Sequence, residues 1–195
     1  MAWFVPRDDG TFYDIFGKIR TLEQQEFFRN TPPVTGIVVD AGVIGGKTYI
    51  ATYDLETRIY KIDRLPFKHH SAVAELMAIA KGVSAAKWKE DPVCVHCDNS
   101  QAVIWAIKRY SMDPREYQYI DVMAYNCAMQ VIFGKSSSIK IRPWYTNNWG
   151  ENPADYRYRK NTDGFRGFVR PKQKEGDPPR KKVRRRRRRK KKEEG

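Results

Sequence analysis

Val93-Cys94-Val95-His96-Cys97-Asp98-Asn99-Ser100-Gln101-Ala102-Val103-Ile104 decides the fold. Its first five residues lean apolar and read as a buried strand. Asp98-Asn99-Ser100 stops that strand and offers helix N-cap groups. Ala102, Val103, Ile104 and Ile107 then start a helical pattern. Asp98 therefore stands where a central strand ends and a helix begins. In an open α/β sheet, that carboxyl edge is where ligands bind. An acid placed there is poised for chemistry, and the question becomes which other acids meet it.

On the N-terminal side, Gly36-Ile37-Val38-Val39-Asp40-Ala41-Gly42 reads as a second buried strand ending in an acid and a turn. Thr48 to Tyr53 alternates, with Tyr49, Ala51 and Tyr53 on one face and Ile50 on the other. Arg58 to Ile62 reads as a third strand, and the short turns between these strands predict an antiparallel meander. Ser71 reads as an N-cap and residues 72–86 as helix, with Ala72, Val73, Leu76, Ile79, Ala80 and Val83 inward. Glu75 falls on or beside that stripe. A carboxylate there either finds a partner or reaches solvent at the stripe's edge. His69 and His70 just before the helix read as capping or solvent-facing residues, with an approach to a bound phosphate as the alternative.

On the C-terminal side, Asp113-Pro114-Arg115-Glu116 predicts a helix start. Ile120, Met123, Ala124, Cys127, Ala128 and Val131 are its expected core face, with Gly134 closing it. Ile139 to Trp144 reads as a strand, with Pro143 marking its end or a sheet edge. Tyr145 to Gly150 reads as a polar loop, and Asn152-Pro153-Ala154-Asp155 as the opening of a last helix. Residues 1–34 form an aromatic-rich extension, with a turn at Asp8-Asp9-Gly10 and a capping box at Thr21-Leu22-Glu23-Gln24. That extension either packs on the main domain or connects to a neighbouring module.

Charge is uneven. Residues 165–195 carry sixteen Lys or Arg against four Asp or Glu, a net of +12 within a chain total of +14. The basic pI of about 9.7 thus describes a tail and not the body. Lys181, Lys182, Arg184, Arg185, Arg186, Arg187, Arg188, Arg189, Lys190, Lys191 and Lys192 cannot collapse on themselves; they suit a polyanion or a nuclear import receptor, or act as a solubilising tail. Domain boundaries are expected at 1–34, 35–164 and 165–195, the last disordered. Cys94 and Cys97 lie three apart on a strand and face opposite sides, so they do not share an ion. With no second Cys pair, the three cysteines read as core thiols of a reducing compartment. No apolar run approaches a membrane span, and the N-terminus does not read as a signal peptide.

Four separate elements each deliver one acid: Asp40, Glu75, Asp98 and Asp155. Four converging acids repel unless cations neutralise them, and hard divalent ions with oxygen ligands do so. Two such ions clamp an in-line phosphoryl displacement. An all-oxygen donor set favours Mg²⁺, two ions, with Mn²⁺ as a substitute.

Residues 36–160 resemble the ribonuclease H family, type I-like. The matching pieces are Val38-Val39-Asp40-Ala41-Gly42, Ala74-Glu75-Leu76-Met77-Ala78, Val95-His96-Cys97-Asp98-Asn99-Ser100-Gln101-Ala102-Val103 and Asn152-Pro153-Ala154-Asp155. The Asp-Asn-Ser and Asn-Pro-Ala-Asp forms look most like the domains attached to hepadnavirus and retrotransposon reverse transcriptases. The resemblance implies an α/β fold: a five-stranded mixed sheet, three antiparallel meander strands plus parallel strands, flanked by helices. It implies an endonuclease that cuts the RNA strand of an RNA–DNA hybrid, with Asp40, Glu75, Asp98 and Asp155 as catalytic metal ligands. Asn99 and Ser100, beside Asp98, are expected to touch nucleic acid together with the tail. A reverse transcriptase or a viral or retroelement assembly is the expected partner, and the expected location is intracellular, in the nucleus or in such particles.

The family pattern is incomplete here. Many members carry a His in the loop before the last helix, and residues 145–151 contain none. Asn147 or Asn148 can orient water but cannot shuttle a proton. The basic handle of some relatives is missing between Tyr110 and Glu116, leaving Lys47, Lys68, Lys108 and Arg109 to line one face. Two other readings keep the fold. One is a non-catalytic nucleic-acid-binding or packaging protein; four acids beside phosphates argue against it. The other is a transposase- or resolvase-like DNA nuclease.

Overall fold

A computed structural model describes residues 4–14, 18–24, 30–89, 92–108 and 112–162. The expected disordered basic tail, 165–195, lies outside the described residues.

β1 (Phe4–Pro6), β2 (Phe12–Asp14) and β3 (Ile19–Arg20) form a small antiparallel sheet. The predicted turn between β1 and β2 is present: Gly10 takes φ +76° and Arg7 N–H donates to the Thr11 carbonyl at 2.8 Å. The capping box is present as well. Thr21 N–H donates to Gln24 Oε1 and Gln24 N–H donates to Thr21 Oγ1, both at 3.3 Å. The sheet itself was not foreseen, because strands of two or three residues carry no readable period.

The main sheet is built from β4 (Ile37–Ile44), β5 (Lys47–Asp54), β6 (Tyr60–Arg64), β7 (Val93–Cys97) and β8 (Ile139–Pro143). Its order is β6-β5-β4-β7-β8. The β4–β5 and β5–β6 pairs are antiparallel, and β4–β7 and β7–β8 are parallel. This is the mixed five-stranded sheet flanked by helices that the sequence predicts, with β8 on an edge and Pro143 as its last residue. β6 starts two residues later than expected. The Asp54 carboxylate accepts from Glu56 N–H at 3.0 Å and Thr57 N–H at 3.1 Å, and Arg58 sits at φ +57°, so the turn consumes residues assigned to the strand.

The helices are α1 (Ser71–Ala86), α2 (Ser100–Lys108), α3 (Tyr119–Phe133), the short α4 (Thr146–Trp149) and α5 (Tyr156–Thr162). One sheet face carries Val39, Val95 and Cys97 against Leu76, Ile79 and Val83 of α1, all fully buried. Truncating Leu76 to Ala is worth about 2–5 kcal/mol of stability at such a site. The opposite face is smaller: Val38, Ala51 and Tyr53 pack on Trp144 and Ala154, which follow β8. The alternation read along β5 thus divides correctly between two cores.

Gly82 lets α1 press onto the sheet. A Cβ there would lie 2.7 Å from Cγ1 of both Val39 and Val95. Glu75 is seven residues earlier, two turns along the same stripe, so this close approach lowers it toward the ends of β4 and β7. Gly36, at φ +109°, enters β4 where a Cβ would meet the Cys94 carbonyl oxygen at 2.6 Å; no other residue fits there.

Three helical expectations are corrected. Asp113 caps only a 3₁₀ turn, Pro114–Glu116, its Oδ1 accepting from Arg115 N–H at 3.0 Å. Tyr117 is then extended, and α3 starts at Tyr119. The inward face of α3 is Asp121, Tyr125, Ala128, Met129 and Ile132, while Met123 and Cys127 are exposed. α3 is apolar around most of its circumference, so the apolar period does not select a face; a buried polar anchor at Asp121 does. Finally, residues 146–149 of the expected polar loop form one helical turn, with Trp149 N–H donating to Tyr145 O at 2.8 Å.

Candidate metal centre

Asp40 lies midway along β4, Glu75 on the second turn of α1, Asp98 immediately after β7, and Asp155 immediately before α5. Each position has a local cause. Val39 pairs with Cys97 in the parallel β4–β7 register, which brings Asp40 level with Asp98 just beyond the carboxyl end of β7. Asn99 caps α2, its Oδ1 accepting from Ala102 N–H at 3.0 Å, so the chain turns away and leaves Asp98 at the strand end. Asp155 serves as the cap of α5, accepting from Arg157 N–H at 2.6 Å through Oδ1 and from Arg159 N–H at 3.0 Å through its carbonyl. The last helix therefore opens one residue after the motif instead of within it.

The four acids fall into two neighbouring groups. Ligand atoms of Glu75, Cys97 and Asp98 all lie within 4.8 Å of one another. Asp40 and Asp155 line one open cavity of about 220 Å³, with Gly42, Tyr49, Tyr156 and Arg157 on its walls. The electrostatics tie the halves together. Burial, then Asp98 and Asp155, push the Asp40 carboxyl up to about 8. Burial, then Asp40 and Asp98, push Glu75 well above the usual carboxylate range. Burial raises Asp98 too, partly opposed by the Asn152 amide. Arg157, exposed on the cavity wall, is the cation that counters Asp40. Tyr60 feels the same field, its hydroxyl being raised by burial and by Asp40 and Asp155.

These residues fit a hard divalent cation. Carboxylates drawn from four separate segments repel one another and lose hydration on burial, and a small cation with oxygen preference relieves both costs. Cys97 does not spoil the set. Its thiol donates to Glu75 Oε2 at 3.7 Å and burial holds it protonated, so the ionisable donors left to a cation are carboxylate oxygens.

Of the other residues singled out from the sequence, Ser100 is the first residue of α2, half-buried next to Asn99. His69 is neither a cap nor solvent-facing. It is buried with Nδ1 2.9 Å from Asp121 Oδ1, while its N–H donates to Thr48 Oγ1 at 2.8 Å. His70 is exposed at the N-cap of α1, and its N–H donates to Asp121 at 3.1 Å. Asn147 and Asn148 are exposed on α4, with Asn148 Nδ2 donating to Asn30 Oδ1 at 3.4 Å. Lys181 through Lys192 and Arg109 lie outside the described residues.

Sequence reasoning quoted Asn152 as part of a motif and gave it no role. It is 2% exposed and bridges the loop to Val39. The signal was its type: an Asn two residues before Ala154, in a turn otherwise headed for the core, is a polar side chain in need of partners.

No family model matches the chain, and no curated protein matches it. Solved structures do. Ribonuclease H1 from the halophilic archaeon Halobacterium salinarum NRC-1 is similar with a TM-score of 0.41 and 11% identity, over 56% of this chain and 83% of that one. The solution structure of the PFV RNase H domain is similar with a TM-score of 0.43 and 12% identity, over 64% of this chain and 93% of that one. Likeness at this level of identity concerns fold alone.

Proposed function

We propose that residues 35–164 form a ribonuclease H-like, metal-dependent endonuclease that hydrolyses the RNA strand of RNA–DNA hybrids. The convergence of Asp40, Glu75, Asp98 and Asp155 from four separate elements carries this reading. A protein that only bound nucleic acid would gain nothing from concentrated negative charge beside phosphates, and a structural role would not leave Asp40 and Asp155 on an open cavity.

Two Mg²⁺ ions, when bound, supply the activation of water and the neutralisation of charge on the phosphoryl group and leaving oxygen. Asp40, Glu75, Asp98 and Asp155 would hold them, with Mn²⁺ as a substitute. Asp40 on β4 and Asp98 at the end of β7 are held by the sheet, which would present their carboxylates in fixed places. Arg157, at the mouth, offers a guanidinium to a phosphate oxygen. Asn99 and Ser100 stand next to Asp98, where a sugar–phosphate backbone would pass. With no His in residues 145–151, proton delivery to the leaving oxygen falls to water, and turnover is slow.

The basic run at Lys181–Lys192 supplies non-specific affinity in this reading, and the domain supplies selectivity. A reverse transcriptase, or a viral or retroelement assembly, is the proposed partner, on the strength of the motif forms alone. The test is incubation with labelled RNA–DNA hybrid, duplex DNA and duplex RNA, each with Mg²⁺ and with EDTA. Cleavage of the hybrid's RNA strand in Mg²⁺ alone supports the reading. Cleavage of duplex DNA in preference points to the DNA-nuclease alternative.

A further inference from the structure

Asn152 reaches three of the four acids' neighbourhoods with one buried amide. Its Nδ2 donates to the Val39 carbonyl oxygen at 3.0 Å, one residue before Asp40. Its Oδ1 accepts from Ala154 N–H at 2.8 Å, one residue before Asp155, and its carbonyl accepts from Asp155 N–H at 2.9 Å. The same side chain lies beside the Asp98 carboxylate. A carboxamide is the side chain that offers donors to a carbonyl and a carboxylate and an acceptor to an N–H from one planar group. Asp has no donor when ionised, and Ser has one.

We propose that Asn152 is a positioning residue: it sets the spacing of Asp40, Asp98 and Asp155, and through that spacing the affinity of the cluster for divalent cation. This deepens the nuclease reading and rests on the acids being a metal centre. Trp144 Nε1 donates to the Gly150 carbonyl and Arg159 Nε to the Pro153 carbonyl of the loop bearing Asp155, and its seat on β4 comes from the bonds of Asn152 to Val39 and within the turn. Without them Asp155 moves relative to the two strand-borne acids. Side chains that orient metal ligands in this way typically set affinity by a factor of about 10–100.

The competing account is that Asn152 merely folds the loop. Mn²⁺ binding to the full-length chain, followed by the electron paramagnetic resonance signal of free Mn²⁺, separates the two without any cleavage assay. Asn152→Ser keeps an acceptor within reach of Ala154 N–H and loses the bond to the Val39 carbonyl and the contact beside Asp98. It should melt within a few degrees of wild type and bind Mn²⁺ at least about tenfold more weakly. Asn152→Ala should lose at least as much affinity and more stability. In a double-mutant cycle with Asp98→Asn, the two losses should not add. Folded variants that bind Mn²⁺ like wild type would overturn the proposal, as would loss of the fold in both variants, which would make Asn152 structural. If wild type itself binds no Mn²⁺, the metal-centre reading falls first and this one with it.

Discussion

Asp40→Asn should make the metal-free protein more stable at neutral pH, although it removes a proposed metal ligand. The Asp40 carboxyl is raised from 3.8 to about 8 by burial and by Asp98 and Asp155. A carboxyl whose folded value lies above its unfolded one favours the fold below the unfolded value, and that advantage is lost as pH rises through the folded value. Across the window from 3.8 to about 8, each pH unit weakens folding by about 1.4 kcal/mol. At neutral pH the accumulated cost is bounded at about 4 kcal/mol. Glu75 and Asp98 share the strain of the cluster, so about 2–3 kcal/mol is the expected gain on neutralising Asp40 alone. That corresponds to about 4–12 °C in melting temperature for a domain of this size. His96 titrates in the opposite sense: burial lowers it to about 4, so its contribution is present above its ordinary 6.5 and lost as pH falls. Comparing the two proteins at each pH cancels that term. The assay is urea unfolding in EDTA from about pH 4 to about pH 8. The variant's advantage should grow from near zero to its full value across that range, and Mg²⁺ should then raise wild type more than the variant. An Asp40→Asn protein less stable than wild type at neutral pH in EDTA, or a pH-independent difference, would refute the reasoning.

Gly82→Ala should destabilise by about 1–2 kcal/mol in the same unfolding assay, because overpacking against Val39 and Val95 outweighs the gain of about 1 kcal/mol in helix propensity. It should also weaken Mn²⁺ binding, since α1 carries Glu75. Asp121→Ala should cost about 1–3 kcal/mol by leaving buried His69 without its hydrogen-bond partner, and protein that remains folded should bind Mn²⁺ normally. A chain ending near Arg170 should keep its fold and its metal-dependent cleavage, yet bind hybrid with a much shallower salt dependence; each lost phosphate contact removes roughly 0.7–0.9 from the log–log slope. Equal slopes in full-length and shortened chains would mean that the basic run acts as an import signal and not as a tether.

The main-sheet strands and α1 were legible because each is an apolar run or stripe bounded by polar turns. Val38 and Val39 face opposite sides of the sheet and are both buried, which marks β4 as a strand with a core on each face. Asp98 was legible for the same reason, as the first polar residue after a buried run. α3 was not. With apolar residues on most sides its pattern fits several rotations, and the buried His69–Asp121 contact, 52 residues apart in sequence, decides which is used. The same holds for Asn152, whose partner Val39 is 113 residues away. Long-range polar contacts leave no local period, so residues that seat the site are harder to read than residues that form it. The shift of β6 had a local cause that was readable in principle: Asp54 followed by Thr57 and Arg58 is a turn with its own side-chain bonds.

The most direct test of the central claim is the single-turnover rate at which wild type and Asp98→Asn cut the RNA strand of a hybrid in Mg²⁺, with hybrid binding measured alongside. Asp98→Asn keeps shape and removes one anionic ligand. Wild type should cut only with divalent metal, and the variant should lose several orders of magnitude in rate while binding hybrid as tightly. Cutting by the variant at close to the wild-type rate, or cutting by wild type in EDTA, would contradict the assignment of Asp40, Glu75, Asp98 and Asp155 as a metal-binding nuclease centre.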